Sequence, residues 1–184
     1  SKSKRQLKKW EKNRKKAYNG SLRHLLKTLT DRFDLRFTLK NGMIIQNDNW
    51  NSIAGRKKDP LVREGFSISM NKKDLFGTSL IIEEEYKPLR SDTLVFPGVT
   101  YEQPLLSFEG RMMVVYMKES PELAYMMEND SPSSYKQTSY LLLRADSVYY
   151  DRDGRYFEPY MIEQQGYSSW ERIGDQLPFN YEQE

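Results

Sequence analysis

The chain has 184 residues, 38% of them hydrophobic and 30% charged, and it contains no cysteine, which excludes disulfides, thiolate metal sites and thiol nucleophiles. No apolar run approaches the length of roughly eighteen residues that a membrane-spanning helix needs. Residues 1–40 hold fourteen Lys or Arg against three Asp or Glu, whereas residues 41–184 hold fifteen against twenty-three. A basic head on an acidic body favours self-association or an acidic partner.

The chain begins with a predicted basic helix, Lys2–Tyr18, which lacks Gly and Pro and is rich in helix-forming Lys, Arg, Gln and Glu. Its apolar residues make a thin stripe, so we expect most of this helix to be exposed to solvent. Gly20 should end the helix in a left-handed conformation, and Ser21 should cap a second helix. The second helix has a stronger apolar stripe, formed by Leu22, Leu25, Leu26 and Leu29.

From Phe33 onward, apolar and polar residues alternate, which predicts a half-buried strand that runs to Lys40. The Asn41-Gly42 pair is a signal for a two-residue hairpin turn, with a return strand over residues 43–45. Gly110 is expected to turn a hairpin that pairs residues 105–110 with 111–118, and Gly154 to turn a later one. Further strands are predicted at Phe66–Met70, Ser79–Tyr86, Thr138–Arg144 and Ser147–Arg152.

These elements predict an α+β fold: an antiparallel, hairpin-rich β-sheet with two N-terminal helices and a short C-terminal helix. In this prediction, residues 1–19 form a basic helical arm and residues 20–184 a single α+β domain. Residues 47–59 and 120–137 are expected to be loops, the second of them flexible. Ser168 or Ser169 is expected to cap the last helix, which runs from Trp170 to Leu177.

His24 is the only histidine in the chain and the first candidate for a catalytic role. Together with Ser21 and Asp31 it supplies the residue types of a nucleophile system, but Ser21 lies only three residues away on the same helix and is needed as its cap. A single histidine also cannot build a transition-metal site without carboxylate ligands, and the sequence indicates none. We therefore predict a structural histidine that joins the second helix to the sheet, and no catalytic residue, metal site or cofactor.

Two acidic motifs suggest metal binding or acid catalysis at first sight. Asp151 to Gly154 has the D-x-D-G start of a calcium loop, but the later ligands are absent and a strand flanks the motif, so a hairpin turn is the better interpretation. The three glutamates at positions 83–85 lie in a predicted strand, where neighbouring side chains point to opposite faces and do not form an acid pair.

The basic arm carries the candidate partner-binding residues Lys8, Lys9, Lys12, Lys15 and Lys16. Cations of this kind bind nucleic-acid phosphates, and an aromatic residue such as Trp10 can stack on bases. We interpret the cations as spread around the helix, however, which favours docking on an acidic protein surface over binding to nucleic acid.

The C-terminal region is rich in aromatic residues, for which two roles stay open. Trp170 lies on a helix too short to be stable alone, so we expect tertiary contacts to hold it and treat it as a structural residue. If five of the aromatic side chains formed one exposed face, glycan binding would be favoured; if they were core residues, it would be excluded. These five are Tyr149, Tyr156, Tyr160, Tyr167 and Trp170.

Three stretches resemble a cell-envelope family from Bacteroidota. NRKKAYNGSLRHLLKTL (residues 13–29) is similar to the NR…Y-x-GS-x-RHFL-x-x-L signature of the family, with Leu25 where the family usually has Phe. LLSFEGRMMVVYM (residues 105–117) resembles its central strand pair, and residues 137–181 resemble its ending. Members of the family usually begin with a signal peptide and a carboxypeptidase-regulatory-like β-sandwich, and this chain resembles the module that follows. The resemblance implies an exported protein, periplasmic or associated with the outer membrane, and no established activity.

The combined prediction is a non-enzymatic cell-envelope module that binds or scaffolds a protein partner with an acidic surface, in one version as part of an outer-membrane assembly. The alternative is an accessory protein that binds glycan or peptide through exposed aromatic residues. Nucleic-acid binding through the basic arm is the third hypothesis. Whether the protein takes a small-molecule ligand stays open.

Overall fold

The computed structural model describes residues 3–47, 59–71, 87–88, 94–129 and 136–170. Its helices are α1 (Lys4–Tyr18), α2 (Leu22–Arg36), α3 (Pro60–Glu64), α4 (Leu123–Glu128) and α5 (Tyr167–Trp170), with a 3-10 turn at Pro159–Met161. Its strands are β1 (Phe37–Lys40), β2 (Met43–Gln46), β3 (Phe66–Asn71), β4 (Lys87–Pro88), β5 (Val95–Phe96), β6 (Leu105–Leu106), β7 (Arg111–Tyr116), β8 (Gln137–Leu143), β9 (Val148–Tyr149) and β10 (Ile162–Gly166). None of the helices in these ranges is long and apolar enough to cross a membrane.

Within the described ranges, the strands form three antiparallel sheets. The largest has five strands in the order β10-β8-β7-β3-β4, and its central strand β7 buries Met112, Val114 and Tyr116. Its strands β3 and β8 occupy the segments predicted from Phe66 and Thr138. A second sheet has the order β5-β6-β9, and β1 and β2 form a separate hairpin. The α+β class, the antiparallel hairpins, the two N-terminal helices and the short C-terminal helix are therefore confirmed.

The hydrophobic core is built around α2. Its buried apolar residues recur every three or four positions and so lie on one face of the helix; they are Leu22, Leu25, Leu26, Leu29 and Phe33. This face packs into one core with strands of both the five-stranded and the three-stranded sheet. Because burying one such side chain contributes about 1.5–3 kcal/mol, this face of α2 is a major source of stability.

In contrast, α1 lies almost entirely in solvent. Its residues from Lys4 to Lys16 are exposed, and Tyr18 at its end is its one buried residue. The chain then turns at Gly20, which has a φ of +78° and lies so close to the sheet that a Cβ would be 2.8 Å from the Tyr116 ring. Glycine is therefore required at this junction by the backbone conformation and by the approach of the sheet.

Removal of residues 1–16 should leave the rest of the fold intact. The described residues among them bury no side chain. The ion pair between Lys16 and Glu122 that would be lost lies at the surface, where such a pair contributes at most about 1 kcal/mol. We expect a far-UV circular dichroism spectrum that differs only by the lost helix, together with cooperative thermal unfolding close to that of the full chain. A molten or aggregated product would contradict this prediction and would place the arm in the core.

The strand predicted from Phe33 begins later than expected. The first four residues of that segment belong to α2, because Phe33 takes the next position of the helical apolar stripe, four residues after Leu29, and is only 2% exposed. β1 is therefore limited to the last four residues of the predicted strand. The turn at Asn41 and Gly42 is confirmed, and their φ angles of +53° and +77° have the positive sign that a two-residue hairpin turn of type I′ requires.

The prediction of a hairpin between residues 105–110 and 111–118 is wrong. β6 pairs with β5 and β9, whereas β7 pairs with β3 and β8 in the other sheet. Gly110, with a φ of +80°, therefore turns the chain from one sheet to the next and does not close a hairpin. A local pattern identifies the turn, but it does not identify the distant strands that compete for the edges of β7.

Two loop and helix predictions also need correction. Within the loop expected at 120–137, residues 123–128 form α4, and residues 130–135 lie outside the described ranges. The strand predicted at residues 79–86 and most of the loop at 47–59 lie outside them as well. The C-terminal helix starts at Tyr167, so Ser168 and Ser169 lie within it and do not cap it; its predicted continuation beyond Trp170 is outside the described residues.

Candidate functional site

His24 lies where α1, α2 and the five-stranded sheet meet. The Ser21 hydroxyl accepts a hydrogen bond from the His24 backbone N–H at 3.2 Å, which is the predicted cap of α2. The His24 ring stands among three aromatic rings, with centroid distances of 4.7 Å to Tyr18, 4.8 Å to Phe66 and 5.7 Å to Tyr116. The contact between His24 and the sheet is therefore made through two aromatic side chains, one on β3 and one on β7.

Both ring nitrogens of His24 face partners inside the protein. Nδ1 accepts a hydrogen bond from the Gly20 N–H at 3.1 Å, which assigns the proton of the neutral ring to Nε2. Nε2 lies 3.7 Å from a carboxylate oxygen of Glu64. A general base needs a free lone pair within reach of the proton that it abstracts, and Nδ1 already uses its lone pair for the backbone.

Burial controls the charge of His24. It lowers the pKa of the imidazole from 6.5 to about 4; Glu64 raises this pKa without offsetting burial, and Lys118 and Lys27 lower it further. Burial raises the pKa of the Glu64 carboxyl, but the hydrogen bond from Arg63 and the charge of Lys118 outweigh burial, so this pKa lies below its ordinary value. At neutral pH the pair is therefore a neutral imidazole beside an ionised carboxylate.

The D-x-D-G segment forms a tight turn that packs on α2. Asp151 accepts hydrogen bonds from the backbone N–H groups two and four residues later, at 2.9 and 2.8 Å, and forms an ion pair with Arg155 at 2.7 Å. Gly154 has a φ of +77°, and a Cβ there would lie 2.8 Å from the backbone nitrogen of Lys27 and closer still to the carbonyl oxygen of Arg23. The carboxylate of Asp151 and the missing side chain of Gly154 thus shape the turn and allow its contact with α2.

Seven of the eight basic residues of α1 lie on one face, which corrects our expectation that they are spread around the helix. At about 100° of rotation per residue, the five candidate lysines fall within an arc of about 120°. Lys4 and Arg5 extend the same face, and Arg14 lies opposite. Trp10 and Leu7 are also on the opposite side, with 40% and 45% of their surface exposed.

One of the candidate lysines, Lys16, is attached to the body of the protein. Its ammonium group forms an ion pair with Glu122 at 2.7 Å, and the side-chain amide of Asn19 donates a hydrogen bond to Glu119, also at 2.7 Å. These contacts attach the end of α1 to the segment before α4. The other four candidate lysines have exposed side chains.

A cleft of about 250 Å³ opens at the base of α1. The helix lines one side of it, the segment before α4 and the start of β8 line another, and α5 completes it. Its polar side chains are those of Asn13, Lys16, Asn19, Glu119, Glu122 and Gln137. Its aromatic side chains are Tyr167 and Trp170, which no local sequence pattern connects to α1.

The five aromatic residues of the C-terminal region do not form one exposed face. Tyr160 is 90% exposed and Tyr149 is 43% exposed, whereas Tyr156 packs against the core. Tyr167 and Trp170 are half-buried at the cleft. The condition that favoured glycan binding through all five is therefore not met, whereas Tyr167 and Trp170 share the cleft with polar groups.

Two groups of ion pairs escape prediction from the sequence because their members lie far apart in the chain. Arg32 pairs with Asp59 at 3.2 Å, both of them buried, and so links α2 to the cap of α3. Arg152 pairs with Asp34 across 118 positions, and the Tyr101 hydroxyl donates a hydrogen bond to the same carboxylate at 2.7 Å. Among the residues that the structure describes, no group of three or more His, Asp or Glu is placed to hold a metal ion.

The resemblance to the Bacteroidota envelope family remains a hypothesis based on sequence motifs. The motif at residues 13–29 contains Gly20, Ser21 and His24, whose contacts join α1, α2 and the sheet. A motif made of such residues reports on architecture more directly than on activity. No protein-family model matches the chain, and neither the curated proteins nor the solved structures include a match to it.

Proposed function

We propose that the protein is a non-enzymatic module of the cell envelope that binds a protein partner with an acidic surface through α1. The observation that carries the proposal is an exposed face of lysines on a helix that contributes one buried side chain, Tyr18, to the fold. Such a face attracts an acidic surface at long range and adds little to the stability of its own domain. The location in the envelope, periplasmic or at the outer membrane, rests on the resemblance of the three sequence stretches.

An acidic protein fits this face better than nucleic acid does. Trp10 is the side chain on α1 best suited to stacking on bases, but it lies opposite the lysines. A nucleic-acid strand whose phosphates lay on the lysine face would therefore place its bases away from Trp10.

The environment of His24 supports a non-enzymatic role. The side chain is only 5% exposed, its Nδ1 is bound to the Gly20 N–H, and burial keeps it neutral. The acidic residues of the segment before α4, Glu119 and Glu122, are engaged with Asn19 and Lys16. These groups are therefore engaged in contacts within the protein, and not in an arrangement around a reacting substrate.

Replacing Lys8, Lys9, Lys12 and Lys15 with glutamate should reduce capture of the partner from an envelope extract by about tenfold or more. The loss should be greatest at low salt, because exposed charges are screened as the ionic strength rises. The melting temperature should hardly change, since all four side chains are exposed. Lys16 is left in place to preserve its ion pair with Glu122.

The matched control replaces the same four lysines with arginine, which conserves the charge, and this variant should still capture the partner. Captured proteins are identified by mass spectrometry and retested as purified components. If the glutamate variant captured the partner as well as the natural protein does, the proposal would be contradicted. Retention of anionic lipid vesicles or duplex DNA by the natural arm, without retention of any protein, would assign the lysine face to those partners.

A further inference from the structure

The cleft at the base of α1 has an ordered aromatic wall. Tyr125 of α4 packs edge-to-face against Tyr167, at 5.1 Å and 81°, and against Trp170, at 5.6 Å and 74° between ring centroids and planes. This geometry is favourable for aromatic pairs and limits the orientations of both rings. The cleft therefore presents two aromatic side chains, one of them an indole, whose positions are set by a third ring behind them.

In addition to this wall, the cleft presents hydrogen-bonding groups of mixed character. The carboxylates of Glu119 and Glu122 each accept one hydrogen bond from α1 or its end, and a carboxylate has capacity for several. The amides of Asn13 and Gln137 offer both donors and acceptors. Gln137 is 5% exposed and donates to the Ser120 carbonyl at 3.4 Å, so its amide is held in place.

The charges of the cleft disfavour an ionic ligand. Lys16 is the one cation among the described residues that line the cleft, and it is already paired with Glu122 at 2.7 Å. An anion in the cleft would therefore meet the carboxylate of Glu119, and the exposed lysine face of α1 offers it a better site. A cation would meet the field of α1, which carries eight Lys or Arg and one Glu. A neutral ligand that both donates and accepts hydrogen bonds satisfies the polar groups without either conflict.

We infer that this cleft binds a neutral saccharide, with a sugar ring stacked on Trp170 and its hydroxyls bound by Asn13 and the neighbouring carboxylates. A sugar matches the lining because it has an apolar C–H face and a rim of hydroxyls that act as donor and acceptor. The volume of about 250 Å³ is below the usual range of roughly 300–1,000 Å³ for drug-sized sites. The cleft therefore holds a single sugar unit, and longer chains extend into solvent. This inference is independent of the partner bound by the lysine face.

The test is saturation-transfer difference NMR on the full chain with maltotetraose, cellotetraose and chitotetraose as probes. At least one of these neutral tetrasaccharides should bind, with the strongest transfer to the protons of one ring face. Trp170→Ala should weaken binding about fivefold to tenfold, and Trp170→Phe should retain most of it, since an aromatic face is kept. An oligogalacturonate and a trilysine peptide, which carry charge of either sign, should not displace the bound tetrasaccharide, even where they bind elsewhere on the protein.

A second pair of variants keeps the test independent of folding. Asn13 and Glu11 are both exposed on α1, but Glu11 faces away from the cleft. Asn13→Leu should therefore weaken saccharide binding by about fivefold, the effect of one lost hydrogen bond, whereas Glu11→Leu should leave it unchanged. Absence of binding by all three tetrasaccharides, binding by Asn13→Leu and Trp170→Ala as tight as by the natural protein, or displacement of the tetrasaccharide by either charged probe would overturn the inference.

Discussion

Replacing Gly154 with alanine should lower the free energy of unfolding by about 3 kcal/mol or more, which is large for a change of one methyl group. Two penalties add. The φ of +77° is unfavourable for alanine, and the new Cβ would lie 2.8 Å from the backbone nitrogen of Lys27 and closer to the carbonyl oxygen of Arg23. Because both obstacles are backbone atoms of α2, the turn must move away from the core helix. Urea unfolding followed by circular dichroism measures the change.

Gly42 provides the matched control, since it has the same φ of +77° and no atom within 4 Å of the position that a Cβ would take. Gly42→Ala should therefore cost only the conformational penalty, about 1 kcal/mol. The difference between the two variants isolates the contact of the turn with α2. If the two variants lost similar amounts of unfolding free energy, the contact of the turn with α2 would contribute little to stability.

Lowering the pH from 7 to 4 should reduce the free energy of unfolding by about 2–3 kcal/mol through His24 alone. The unfolded chain binds this proton near pH 6.5, but the folded protein binds it only near pH 4. Since the pKa is depressed in the fold, the contribution of the neutral ring is fully present above pH 6.5 and is lost as the pH falls to 4. The lowered pKa of Glu64 adds a further loss, which begins only as the pH approaches its ordinary value of 4.5.

The variant His24→Phe separates the titration of His24 from that of the carboxylates. The variant keeps an aromatic ring near Tyr18, Phe66 and Tyr116 but loses the acceptor for the Gly20 N–H. It should be less stable at pH 7, and its stability should change much less between pH 6.5 and 5. Denaturant unfolding across this range measures both effects. An unchanged slope in the variant would assign the pH dependence to other groups.

The junction around His24 could be predicted from the sequence because its determinants are close together in the chain. Ser21 caps α2 three residues before His24, Gly20 precedes it, and the spacing of the leucines identifies the buried face of α2. The Asn41-Gly42 turn is predictable for the same reason. In each case local backbone conformation and one repeating pattern determine the result.

Features that depend on distant residues could not be predicted in this way. The pairing of β7 with β3 and β8, in place of β6, is decided by strands from three parts of the chain. The ion pair of Arg152 with Asp34 and the cleft between α1 and Trp170 likewise need the whole fold. The lysine face is a different case, since helical geometry alone places these residues on one side and the sequence was sufficient to find it.

The boundary at Tyr18 also separates two regimes of evolutionary constraint. On one side, the described residues of α1 up to Lys16 have exposed side chains, so substitutions that keep the helix are nearly neutral for folding. On the other side, Gly20 and His24 are fixed by a close backbone approach and by packed rings. A lineage can therefore change the charge pattern of the arm while the body below keeps its sequence.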